Sequence, residues 1–129
     1  MTGSVTHFEI YAEEPATLAG FYRRLFGWRL ERAPGLDYWR IETGAAPAGS
    51  VDGGLTYRPI AGTRGWVHYV HVASLDNAVA EAERLGAVVL RPKTAVPKTP
   101  WYAVLADPEG NIFAIYQTGP AAFPPPGPD

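Results

Sequence analysis

Phe8-Glu9-Ile10-Tyr11-Ala12 runs through a helix-like stretch ending Arg23-Arg24-Leu25-Phe26-Gly27 into the extended Trp28-Arg29-Leu30. Half a chain later, Val70-His71-Val72-Ala73 runs through Glu81-Ala82-Glu83-Arg84-Leu85-Gly86 into Ala87-Val88-Val89-Leu90. A strand, an amphipathic helix closed by Gly and a returning strand thus occur twice, the pattern of one supersecondary unit repeated. Such a pair can enclose a pocket, and the residues that would line it carry the functional reading.

The first strand alternates. In Thr6-His7-Phe8-Glu9-Ile10-Tyr11, Phe8 and Ile10 share a packing face, while His7, Glu9 and Tyr11 share a polar one. Glu14-Pro15 suits a helix start, and Leu18, Phe21, Tyr22, Leu25 and Phe26 recur at helical spacing up to Gly27. Tyr38 to Glu42 reads as a strand, Gly44 to Gly49 as a loop, and Gly53 to Tyr57 as a strand whose glycines suggest a bulge or a close backbone approach. In the second half, Trp66 to Val72 is the strand and Ser74 the helix cap, with Ala78, Val79, Ala82 and Leu85 on the buried helix face. Pro92 to Pro100 reads as a mobile loop. Trp101 to Ala106, Asp107-Pro108-Glu109-Gly110-Asn111 and Ile112 to Tyr116 read as a hairpin with a turn that needs Gly at positive φ.

Composition narrows the function. The 129 residues carry a net charge of -2 and 47% apolar residues, ordinary for a globular chain with a real core. No basic cluster exceeds Arg23-Arg24, so neither nucleic acid nor an anionic membrane is an expected partner. The absence of Cys removes disulfides, thiolate metal sites and a cysteine nucleophile. The start of the chain has neither a secretory pattern nor an apolar span, and a cytoplasmic location is expected. No serine sits in a nucleophile elbow, and no glycine loop is built to cradle phosphate.

The repeated order of strand, helix and three strands, together with Phe21-Tyr22-Arg23-Arg24-Leu25-Phe26-Gly27-Trp28 and Ala106-Asp107-Pro108-Glu109-Gly110-Asn111, resembles the vicinal oxygen chelate superfamily. That is the group of glyoxalase I, bleomycin-resistance proteins and extradiol dioxygenases. The resemblance spans approximately Val5 to Gln117 and is greatest to the small single-domain glyoxalase-like members, whose Asp52-Gly53-Gly54-Leu55 and Trp66-Val67-His68-Tyr69-Val70 segments look alike. It implies an α+β fold of two βαβββ modules, residues 1–60 and 61–118, forming one cupped, barrel-like mixed sheet with helices outside. Residues 119–129 would be a disordered Pro-rich tail, and a homodimer is implied.

Metal enzymes of the superfamily hold a divalent ion with one side chain from the first and one from the last strand of each module. Carried over residue by residue, those positions are His7, Gly54, Val67 and Ala114, so one ligand of four survives. A single imidazole does not replace the hydration of a divalent ion. No cofactor is therefore expected. An irregular metal site would have to draw on His7, with Glu9, and on His68 or His71.

The expected site is instead an apolar-aromatic cup binding a small organic molecule. His7 and Glu9 are the candidate catalytic pair, a carboxylate placed to orient an imidazole. Tyr11, Arg40, Tyr69, His71, Trp101 and Tyr116 are the candidate ligand-binding residues. Arg40 would pair with a ligand carboxylate or with Glu42. Each has a plainer reading: a pocket histidine that only hydrogen-bonds a neighbour, a surface ion pair, aromatic filling of a core or dimer interface. The leading function is binding or sequestration of an organic compound. The alternative is a lyase, isomerase or dioxygenase-type enzyme using His7 with Glu9, and a third is an accessory protein whose aromatic surface is a dimer interface.

Overall fold

Alternation along β1 (Gly3–Ala12) sets the first layer: Phe8, Ile10 and Ala12 turn into the core, while His7 and Glu9 face the other way. The computed structural model describes residues 3–44, 50–95 and 101–117. Its elements follow the order β1, α1 (Pro15–Phe26), β2 (Arg29–Arg32), β3 (Tyr38–Glu42), β4 (Gly53–Tyr57), then β5 (Gly65–Val72), α2 (Leu75–Arg84), β6 (Val88–Ala95), β7 (Trp101–Ala106) and β8 (Ile112–Gln117). This is the expected βαβββ unit, twice. The chain divides into two compact units, Thr6–His68 and the described parts of Met1–Val5 and Tyr69–Asp129.

In the first unit the strands run β2-β3-β4-β1, with β1 parallel to β4 and the other neighbours antiparallel. Alternate residues Phe8, Ile10, Leu30, Trp39, Ile41 and Leu55 bury one face of that mixed sheet against Ala19, Leu18 and Tyr22 of α1. Each large side chain so buried contributes about 1.5–3 kcal/mol. Pro15 opens α1, Arg23 and Arg24 complement the negative end of its dipole, and Gly27 closes it at φ 69° with its N–H on the Arg23 carbonyl at 2.9 Å. The Arg23 guanidinium then donates to the Leu30 carbonyl, fixing the helix end to β2.

The second unit, which takes up β5 from Tyr69 on, repeats the plan: β5-β8-β7-β6, with β5 parallel to β8. Val72, Leu75, Ala78, Ala103, Leu105 and Ile115 form its core. The Ser74 hydroxyl caps α2 by accepting the Asn77 N–H at 3.2 Å, and the Gln117 side-chain carbonyl accepts the Leu75 N–H at 2.7 Å. In the β7–β8 turn, one Asp107 carboxylate oxygen accepts the N–H groups of Glu109 and Asn111, both at 2.9 Å, and Gly110 takes φ 88°.

Three expectations change. Leu85 is 63% exposed, because α2 ends at Arg84 and Leu85 is its cap rather than part of its buried stripe. Phe21, Leu25 and Phe26 are also about half exposed: Phe21 and Leu25 lie well round the helix from Pro15 and Ala19, and Phe26 sits on the final turn. The Pro92–Pro100 segment is not wholly a loop. β6 continues through Ala95, its register shifting between Val89 and Arg91 and again between Arg91 and Thr94, which absorbs Pro92 in an irregular strand. The remainder of that segment, most of the 44–49 loop and the tail at 119–129 lie outside the described residues.

Two measurements check these constraints. A Cβ on Gly53 would fall 2.3 Å from the Phe8 carbonyl oxygen and 2.9 Å from its ring, so Gly53→Ala should lose about 1–3 kcal/mol in urea unfolding. The Asn111 side chain, then backbone N–H groups, hold the Asp107 carboxyl below its ordinary range. Its contribution is present above the ordinary Asp value of about 3.9 and is lost as pH falls through the depressed one. The melting-temperature deficit of Asp107→Asn should accordingly be largest near neutrality and shrink in acid.

Candidate functional site

β1, β4 and β3 place their polar side chains in cross-strand rows: Glu9 beside Gly54 beside Arg40, and Tyr11 beside Thr56 beside Tyr38. With no side chain at Gly54, the Tyr38 ring crosses that position diagonally. Its hydroxyl donates to Glu9 Oε2 at 3.0 Å, and the same oxygen lies 3.2 Å from His7 Nε2. The phenol oxygen is 3.4 Å from that nitrogen, which closes the triangle. A carboxylate oxygen only accepts, so the matching imidazole tautomer carries its hydrogen on Nε2.

His7 and Glu9 are therefore brought together, with side chains 29% and 14% exposed. Tyr11 is buried on the same face, close enough to bear on the Tyr38 phenol. Arg40 is exposed and its charge reaches the phenol, whereas Glu42 pairs with Arg29 at 3.7 Å instead of with Arg40. Tyr38 is the member of this cluster that sequence reasoning missed. The available signal was its spacing of two from Arg40 on a strand beside two glycines.

The second unit shows a different surface. Tyr69, Ala114, Val104 and Arg91 form one cross-strand row, and His71, Tyr116, Tyr102 and Thr94 the next, all on the face opposite α2. The Tyr69 ring centre lies 6.3 Å from that of Tyr102 and 6.4 Å from that of Tyr116, and His71 meets Tyr116 edge-on at 5.1 Å. The Arg91 guanidinium donates to the Tyr102 hydroxyl at 3.0 Å. Trp101, expected on this face, is on the other. It packs with the core under α2, and the Lys93 ammonium sits 5.1 Å from its ring centre. Strand parity is the reason, since Tyr116 opposes Tyr102 in the ladder and Trp101 opposes Gln117.

The divalent ion of the superfamily does not fit these residues. Of its four positions, Gly54 has no side chain, Val67 and Ala114 are buried aliphatic residues, and the Tyr38 hydroxyl lies 1.9 Å from where a Cβ at 54 would start. His68 is exposed on the opposite parity of β5 from Val67. Among the described residues, no three His, Asp or Glu side chains converge.

The paired βαβββ units define the protein class, and comparison with known proteins gives the family. A model of the glyoxalase-like domain matches residues 7–116, and the chain belongs to that family and so to the vicinal oxygen chelate superfamily. It is 28% identical over 123 residues to "Putative glyoxylase CFP32" of Mycobacterium bovis, a match covering 92% of this chain and 46% of that protein. The chain thus spans about half the length of the curated relatives it matches. Solved structures share the fold at low identity. A glyoxalase/bleomycin resistance protein/dioxygenase superfamily member from Vibrio splendidus aligns with TM-score 0.60 and 15% identity, over 91% of this chain and all of that one. A methylmalonyl-CoA epimerase from Streptomyces coelicolor aligns with TM-score 0.60 and 14% identity, over 91% and 95%. No helix among the described residues is long and apolar enough to cross a membrane.

Burial first, then the nearby Glu9 charge and the hydrogen bond to it, raise the Tyr38 phenol above its ordinary value of about 10. The unfolded chain releases that proton near pH ~10 while the folded one keeps it, so the contribution is complete below that pH and declines above it. Urea unfolding at about pH 8 and about pH 11 should show a smaller alkaline loss of stability for Tyr38→Phe than for the parent protein.

Proposed function

We propose that this protein binds a small, planar or amphipathic organic molecule without a resident metal, as a cytoplasmic homodimer. The observation that carries the reading is the aromatic face of β5, β7 and β8, where Tyr69, Tyr102 and Tyr116 gather, His71 meeting Tyr116 and Arg91 donating to Tyr102. Tyrosine rings offer apolar area with a polar tip, the combination that holds a flat oxygenated ligand. The unfit metal positions support metal-free binding. Exposed Phe21, Leu25, Phe26 and Trp66, together with the doubled length of the curated relatives, support the dimer.

A second reading is favoured by one observation, the His7–Glu9 contact at 3.2 Å with Tyr38 on the same oxygen. An imidazole oriented by a carboxylate is fit to move a proton next to a carbonyl, as a metal-free lyase or isomerase requires. Glu9 would hold the ring, His7 would exchange the proton, and the protonated phenol of Tyr38 would keep the carboxylate in place.

Aromatic and amphipathic compounds screened by thermal shift, followed by calorimetry of the best, separate the two readings. Binding should be saturable at one ligand per chain, with no product after prolonged incubation, and Tyr116→Ala should weaken it by about tenfold. Conversion of that ligand, abolished by His7→Ala in a variant that still folds, would install the enzyme reading in place of the binding one.

A further inference from the structure

We propose that Tyr38 stands in for a metal: its hydroxyl fills the space over Gly54 and gives the Glu9 carboxylate a neutral donor, so that His7 and Glu9 are held together without a cation, and a cation could enter only if the tyrosine left and a further ligand were supplied. This goes beyond metal-free binding but rests on it.

Three observations converge. The first is steric. A Cβ at residue 54 would lie 1.9 Å from the Tyr38 hydroxyl and 2.2 Å from its ring carbon Cζ, so the ring in this position and a side chain at residue 54 are mutually exclusive.

The second is electrostatic. Glu9 and Gly54 are direct partners in the parallel β1–β4 ladder, so a carboxylate at residue 54 would stand beside that of Glu9. Two adjacent carboxylates call for a cation or a shared proton. A glycine with a phenol above it calls for neither, because Tyr38 supplies Glu9 with a neutral donor at 3.0 Å.

The third is the repeat. Tyr102 opposes Tyr116 on β8 as Tyr38 opposes Thr56 on β4, and Tyr69 flanks Ala114 as Glu9 flanks Gly54. A tyrosine at matching register therefore accompanies a small residue at the last-strand position of each module, and Ala114 is completely buried. In the first module a histidine and a carboxylate, His7 and Glu9, stand beside that position, and there Tyr38 takes the place of a cation.

Tyr38→Ala combined with Gly54→Glu tests the proposal, since it removes the plug and brings a second carboxylate to His7 and Glu9. Nickel(II) calorimetry on the full chain should show no binding in the parent protein. The double variant, confirmed folded by circular dichroism, should bind one ion at least about a hundredfold more tightly and lose it on addition of His7→Ala. A folded double variant with no gain overturns the inference and leaves metal-free binding intact. Tight stoichiometric binding by the parent protein overturns both.

Should the double variant not fold, the cycle of Gly54→Ala and Tyr38→Ala reads the exclusion directly. The destabilisation caused by Gly54→Ala should be largely lost in the Tyr38→Ala background. Equal destabilisation in both backgrounds would show that Tyr38 is not what the glycine accommodates.

Discussion

The first unit depends on the close approach that β4 permits because its first two residues have no side chains. Phe8 presses its carbonyl and ring against Gly53, and Tyr38 lays its hydroxyl over Gly54. On the core side, that approach lets the Phe8 ring stack on Trp66 at 5.1 Å, while Tyr22 reaches both Trp28 and Trp66. On the other side it brings a phenol to a carboxylate one strand beyond its ladder partner. The same two glycines thus serve the core packing on one face of the strand and the polar cluster on the other.

What this does to the polar cluster follows from charge. A carboxylate largely withdrawn from solvent needs donors, and Glu9 receives them from Tyr38 and from the His7 ring. Both are held by strands rather than loops, so their geometry is fixed by the ladder. The hydrogen-bonding groups of this face are thus arranged by the strands themselves.

Much of this was legible in the sequence because the signals were local. Strand alternation assigned Phe8 and Ile10 to the core and His7 and Glu9 to the opposite face. Gly27, Ser74 and the Asp107–Asn111 turn act through bonds within a few residues of themselves, so their types announce their roles. Non-local features were harder. Trp101 and Tyr102 are adjacent aromatic residues on one strand, and only the β7–β8 ladder decides which faces the core. Tyr38 joins His7 and Glu9 from 31 and 29 residues away through an empty position on the strand between them. The glycines at 53 and 54 signalled a close approach without naming what approaches. Leu85 was misplaced because periodicity continues past the residue where a helix stops.

The two modules show how one backbone plan supports two surfaces. Their ladders match strand for strand, yet Glu9 of the first corresponds to Tyr69 of the second, Tyr11 to His71, and Thr56 to Tyr116. Parallel pairing of the first and last strands keeps those residues on the face away from the helix, whatever their chemistry. The far face is itself partly packed, with Tyr11, Tyr69, Val104 and Ala114 buried, so a substitution there meets packing as well as the polar groups beside it. The glycine at 54 is the extreme case, because there the tyrosine has taken the space. Its identity is set by a neighbour on the polar face, so a side chain at that point requires two residues to change together.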